Sequence, residues 1–207
     1  MPRRRRPFLA SRRLQATQDN QPMLPADLAK KKERLLAIIK QKSILKGHFK
    51  LASGETSDYY LDMRPTTFDA EGANLVADLV YDMLRGDDDV EAVGGLELGS
   101  VPVIVGVAMR SFGRRPLAGF VVRKQKKGHG TDQQIDGNFR PGSVVVLLED
   151  VTTKGGSVMQ AVNAVRQQGA TVKKIITIVD RLQGAAENLK KEGIDLVAVF
   201  TAPQLLG

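Results

Sequence analysis

The chain of 207 residues contains no cysteine, which excludes disulfides, thiolate-bound zinc and a cysteine nucleophile. Histidine is nearly as scarce: His48 and His129 are its two imidazoles, too few for a His-rich metal site. Long apolar runs are also missing. The longest, Val101 to Met109 and Val144 to Leu148, fall far short of the roughly 20 residues needed to span a bilayer, so a soluble, cytoplasmic protein with no membrane partner is expected. No Gly-x-x-x-x-Gly-Lys-Ser/Thr occurs, and no Gly-x-Gly-x-x-Gly follows a strand, which removes two common nucleotide-binding fingerprints. No repeat of fixed period is present. What is there suffices for one α/β domain: 42% of the residues are hydrophobic, enough for a core at this length.

Charge is unevenly spread. The net charge is +8, yet residues 1 to 22 hold Arg3, Arg4, Arg5, Arg6, Arg12 and Arg13 against Asp19 alone and so supply +5 of it. The expected organisation is a disordered, non-catalytic arm over residues 1–27 and a single domain over 28–207, with a hood from about 28 to 68 and a core from about 69 to 207. A targeting peptide, a nucleic-acid-binding tail and an upstream extension before a start at Met23 are the other readings of the arm.

Leu28 to Lys42 places leucines and isoleucines on one face among lysines, an amphipathic helix. Gly47 to Ala52 and Asp58 to Asp62 flank Ser53-Gly54-Glu55-Thr56-Ser57 and predict a β-hairpin, the hood. Helical spacing follows from Asp69 to Leu84, closed by Arg85-Gly86. Then strands and helices alternate: strands Ala92–Gly95, Leu117–Val122, Val144–Leu148, Val172–Val179 and Leu196–Phe200; helices Val101–Phe112, Val158–Gln168 and Ala185–Lys191. That rhythm predicts an α/β fold whose central, mostly parallel sheet is flanked by helices.

The stretch from Val144 to Ser157 carries the chemistry. Five apolar residues without alternation predict a strand covered on both faces, ending in Glu149-Asp150 and the loop Val151-Thr152-Thr153-Lys154-Gly155-Gly156-Ser157. The glycines permit positive φ and close backbone approach, and a helix starting near Ser157 offers unpaired N–H groups to a phosphate. The two acids would repel that phosphate. They suit hydroxyls or a metal a few ångströms away, as in a ribose 5-phosphate. A second segment, Arg123-Lys124-Gln125-Lys126-Lys127-Gly128-His129-Gly130, packs four cations into five positions with glycines behind them, as a flap closing over an anion requires.

The first motif resembles the fingerprint of the phosphoribosyltransferases for phosphoribosyl pyrophosphate, and the second narrows the resemblance to orotate phosphoribosyltransferases. Their mobile loop has the form Arg-Lys-x-x-Lys-x-His-Gly, supplied here by Arg123, Lys124, Lys127, His129 and Gly130. Ser53-Gly54 with Ser57 to Tyr60 is similar to the segment beside the orotate ring, and Asp180-Arg181 to the family's strand end. The resemblance implies Mg²⁺-dependent transfer of phosphoribose to orotate, giving orotidine 5′-monophosphate and pyrophosphate in pyrimidine biosynthesis. Catalytic roles would fall to Lys127, His129, Arg123 and Asp150. Lys124, Glu149, Thr152, Thr153, Lys154, Gly155, Gly156, Ser157, Arg181 and Tyr60 would bind substrate, with Mg²⁺ held through substrate and water near Asp150. It further implies a homodimer whose loop 123–137 completes the neighbouring site, with Arg123, Lys127 and His129 acting in trans and Lys124 in cis. Nucleic acid is not expected as a partner. The alternatives are a phosphoribosyltransferase for another base and a regulator binding phosphoribosyl pyrophosphate and nucleic acid. Departures from the family pattern are Ala52 with Lys50 two residues back, Leu98-Gly99 in place of Tyr-Lys, and Lys154 in place of a small residue.

Overall fold

The structure is a computed structural model that describes residues 23–50, 56–125 and 134–207. Residues 1–22 of the expected arm lie outside them, and its last residues, Pro25 to Asp27, are helical, which corrects the arm's expected boundary at residue 27. The first helix, α1 (Pro25–Lys42), starts three residues before the predicted Leu28 because Pro25, with φ already set for a first turn, and Asp27 favour initiation there. Leu35, Ile38 and Ile39 are its buried face.

The predicted hairpin is present as β1 (Ile44–Lys50) and β2 (Thr56–Leu61), an antiparallel pair forming its own two-stranded sheet. Its register shifts between Lys46 and Phe49, around Gly47. Residues 51–55 between the strands, which include Ala52 and Gly54, lie outside the described residues. A short helix that the sequence did not predict, α2 (Arg64–Thr67), follows directly. α3 (Ala70–Asp82) is capped by Asp69, whose Oδ1 accepts from the amides of Glu71 and Gly72 at 3.1 and 2.9 Å.

The main sheet contains β3 (Ala92–Leu96), β4 (Ala118–Val122), β5 (Ile135–Gly137), β6 (Val144–Thr152), β7 (Thr171–Asp180) and β8 (Leu196–Thr201), in the order β5-β4-β3-β6-β7-β8. All its pairings are parallel except that of β5, which runs antiparallel along β4. The connecting helices are α4 (Ser100–Ser111), α5 (Gly156–Arg166) and α6 (Ala185–Lys191), and α7 (Ala202–Leu206) ends the chain. β5 is a correction to the loop predicted over 123–137: Ile135 to Gly137 are sheet edge. β6 also runs four residues beyond the predicted Leu148, so Glu149 and Asp150 are strand residues.

Alternation along β6 explains its lack of polar positions. Val146 and Leu148 enter the core beneath α1, α3 and α4 with Leu35, Val76 and Ile104. Val145 and Leu147 enter the opposite core with Val158, Val162 and Leu189 of α5 and α6. Burying each such side chain contributes about 1.5–3 kcal/mol, which is why this strand sits at the centre of the sheet. Near the first core, Asp78 of α3 is 2% exposed and is met by Lys31 of α1 at 2.5 Å and by Arg110 of α4.

Candidate active site

β3 and β6 are neighbours whose following strands lie on opposite sides, so the strand order reverses between them. In open α/β sheets ligands bind in the crevice beyond the strand ends at such a point. A cleft of about 290 Å³ lies there, lined by the β3 end (Leu96 to Gly99), the β6 end (Glu149 to Val151), Lys124, Ser157 and the hood segment from Tyr60 to Arg64. A larger hollow of about 440 Å³ lies between α3 and α4, away from both acids.

The two acids differ sharply. Glu149 is 7% exposed; its Oε1 accepts from the Asp150 amide at 3.2 Å and its Oε2 is buried without a hydrogen-bond partner. Burial, with Asp150 beside it, pushes its carboxyl well above the usual glutamate range. Asp150 is half-buried, accepts from the Val151 amide at 2.9 Å, and lies against Gly99, where a β-carbon would stand 2.3 Å from Asp150 Oδ2. Gly99 also precedes α4, just after a cis peptide between Glu97 and Leu98.

The glycine-bearing loop after β6 takes up the positive φ that the sequence permits at Gly155. Gly155 adopts φ +84°, left-handed, and caps the first turn of α5, leaving that helix's early N–H groups open beside the exposed Gly156, with Ser157 lining the cleft. Thr153 and Lys154 are exposed, and the Lys154 carbonyl accepts from Asn188 Nδ2 at 3.0 Å, tying the loop to α6. Thr152, expected among the substrate-binding hydroxyls, turns inward instead: it is buried, and its hydroxyl donates to Asp180 Oδ1 at 3.2 Å.

Arg181 leaves the end of β7 and is buried beneath the hood. Its guanidinium stacks 4.6 Å over the Tyr59 ring, and Nη2 donates to Ser57 Oγ at 3.2 Å, while Nε is buried without a partner. Tyr60, the tyrosine singled out from sequence, lines the cleft and packs its ring against Phe49. Tyr59 was missed. The alternation of β2 could have found it, since Ser57, Tyr59 and Leu61 share the inward face.

At the root of the basic loop, the Lys124 amide donates to Glu97 Oε1 at 2.9 Å and Lys124 lines the cleft. Arg123 pairs with Asp136 across that root, and its amide donates to the Gln134 carbonyl at 2.8 Å. Lys127 and His129 lie outside the described residues. Sequence reasoning also missed Arg64 and Asp62, which reach the cleft from the hood. Among the described residues no three His, Cys, Asp or Glu side chains gather to enclose a metal ion.

Comparison with known proteins agrees with this geometry. No family model matches the chain. The orotate phosphoribosyltransferase of Bradyrhizobium sp. (strain ORS 278) is 43% identical over 178 residues, 84% of this chain and 96% of that protein. That of Methanocaldococcus jannaschii is 41% identical over 176 residues, 84% of this chain and 97% of its own. Among solved structures, Mycobacterium tuberculosis H37Rv orotate phosphoribosyltransferase in complex with 5-phospho-α-D-ribosyl 1-diphosphate superposes with a TM-score of 0.71 and 32% identity, covering 84% of this chain and 98% of that one. Such identity over nearly the whole length of these relatives, on a sheet that opens its cleft between an acid-bearing strand and a glycine-capped helix, places the chain in the orotate phosphoribosyltransferase family.

Proposed function

We propose that the cleft transfers the phosphoribosyl group of 5-phosphoribosyl 1-diphosphate to N1 of orotate, yielding orotidine 5′-monophosphate and diphosphate. The observation that carries this is the convergence, at one strand-order reversal, of adjacent acids and an open helix N-terminus, with an arginine buried on the neighbouring strand beneath the hood. In this arrangement the 5-phosphate is received by Gly156, Ser157 and the first amides of α5, with Thr153 and Lys154 beside them. Asp150 and Glu149 accept from the ribose hydroxyls. Arg181 pairs with the orotate carboxylate, for which its planar fork is suited, and Tyr60 borders the same space.

The bond from the anomeric carbon to the diphosphate oxygen breaks as the bond to N1 forms, so positive charge grows on the sugar and negative charge on the leaving group. Lowering the barrier therefore depends on donors and cations aimed at that oxygen. Lys124 stands at the cleft for this task, and Arg123, Lys127 and His129 share it from the basic loop, whose closure also excludes water from the sugar. Asp150 and the orphaned Glu149 Oε2 would hold Mg²⁺, directly or through water. When bound, that ion neutralises the departing diphosphate.

Pairing with a second copy is supported by the outer face of α4. Val105, Met109 and Phe112 are exposed there beside the 440 Å³ hollow against α3. In the pair, loop residues Arg123, Lys127 and His129 serve the neighbouring site, Lys124 serves its own, and the arm that precedes α1 has no catalytic part. No helix among the described residues is long and apolar enough to cross a membrane.

An orotate-consumption assay with and without Mg²⁺ tests the assignment. Turnover with orotate and none with adenine or hypoxanthine is expected; the opposite selectivity would overturn it. Mixing Lys127→Ala with Asp150→Ala protein should restore activity if the loop works across the dimer, and no recovery would place the loop in its own subunit.

A further inference from the structure

We propose, on the reading of the cleft just given, that Arg64 is a further substrate-contacting residue, binding the diphosphate of the donor from within its own subunit. Arg64 opens α2, between the fully buried Met63 and the buried Thr66, whose hydroxyl lies 2.7 Å from that of Ser43. Its backbone is thus held by packing on both sides. The guanidinium lies flat against Asp62: Nε donates to Oδ1 and Nη2 to Oδ2, both at 2.8 Å, and the Arg64 amide donates to Oδ1 at 3.1 Å. Among the described residues the Arg64 guanidinium hydrogen-bonds no other acceptor. Two of its five N–H groups are used, and those on Nη1 and the second on Nη2 remain for a ligand.

The side chain is 55% exposed, and Arg64 lines the cleft with Glu97, Lys124, Glu149 and Asp150. The Asp62 hydrogen bonds raise its pKa, with smaller contributions from the fields of Tyr60 and Asp150, so it senses both walls of the site. As a mere surface ion pair it would matter little, since such pairs contribute almost nothing in water. Its surroundings argue for more. Among the described residues that line it, the cleft presents four carboxylates, those of Asp62, Glu97, Glu149 and Asp150, against two cations, Arg64 and Lys124. A donor carrying three phosphates must find positive charge there. The α5 terminus accounts for one phosphate, and the acids between it and the hood repel the others. A rigid fork with spare N–H groups, fixed by its own carboxylate, is the arrangement that seats a diphosphate bidentately.

The test is titration of the full-length protein with inorganic diphosphate in the presence of Mg²⁺, and separately with orotidine 5′-monophosphate, which has no diphosphate. Arg64→Ala should weaken diphosphate binding about tenfold or more, the loss expected for a hydrogen bond to a charged group. It should also raise the KM for the donor while leaving orotidine 5′-monophosphate affinity within about twofold. Arg64→Lys, which keeps the charge and loses the fork, should fall between and guards against a folding artefact in the alanine variant. Unchanged diphosphate binding in both variants, or equal loss for both ligands, overturns the proposal. Orotate turnover by the wild-type chain is measured alongside; its absence counts against the assigned reaction, while the diphosphate titration stands apart from it.

Discussion

Gly99→Ala should disable catalysis without disturbing the fold. Gly99 lies at φ −61°, ψ −35°, a conformation alanine adopts freely, so the backbone bears no strain from the change. The added methyl would stand 2.3, 2.5 and 2.6 Å from Oδ2, Cγ and Oδ1 of Asp150. Carbon and oxygen atoms settle about 3.5 Å apart, so the carboxylate must retreat by about 1 Å. A misplacement of that size at a reacting centre costs about 100-fold in rate, or roughly 2.7 kcal/mol of barrier. Steady-state kinetics with orotate should show kcat reduced by about two orders of magnitude, while the melting temperature moves by no more than about 4 °C. The double variant with Asp150→Ala should be no slower than Asp150→Ala alone, because both changes act through one carboxylate. Wild-type kcat in Gly99→Ala, or losses that multiply in the double variant, would refute the reasoning.

Glu149→Gln should stabilise the free protein while impairing turnover. The folded carboxyl is raised by burial, so its stabilising contribution is complete below the unfolded value of about 4.3 and is lost as pH rises through the higher folded value. The melting-temperature gap favouring the variant should therefore widen with pH above about 5, and a gap that shrinks would contradict the burial argument. Tyr59→Ala should raise the KM for orotate severalfold, in line with about 0.5–2 kcal/mol for a cation on an aromatic face, whereas Tyr59→Phe should not; equal effects would point to the hydroxyl instead. Asp78→Ala strands Lys31 and Arg110, and because both side chains are about a third exposed the expected loss is about 2 kcal/mol in chemical denaturation, below the 3–5 kcal/mol of a fully buried pair. A neutral result would mean that water already screens the cluster.

Most elements were legible in the sequence, and three short ones, α2, β5 and α7, were not. Helices α1, α3, α4 and α5 and strands β6 and β7 carry enough turns or apolar positions for a period to emerge. α2 has four residues and β5 three, too few for any pattern. β5 exists because β4 offers a free edge; its own polar sequence would not predict it. Within the site, Asp150, Gly155 and Ser157 were legible because adjacent residues build the motif. Thr152 was misplaced for a related reason: strand alternation carries on past Glu149 and turns its hydroxyl toward β7, which sequence reading had ended too early to foresee.

By itself the sequence determined the central strand, the left-handed glycine that starts α5 and the crowding of cations in one loop, because each depends on neighbours a few bonds apart. Only the tertiary structure decided that β3 lies beside β6, that Arg181 comes to rest on Tyr59, that Arg64 reaches the acids and that Glu149 is buried. Those outcomes bring together residues up to 124 positions apart, as Ser57 and Arg181 are. They follow from strand order and from which faces the helices cover, and these are settled by burying the whole sheet at once.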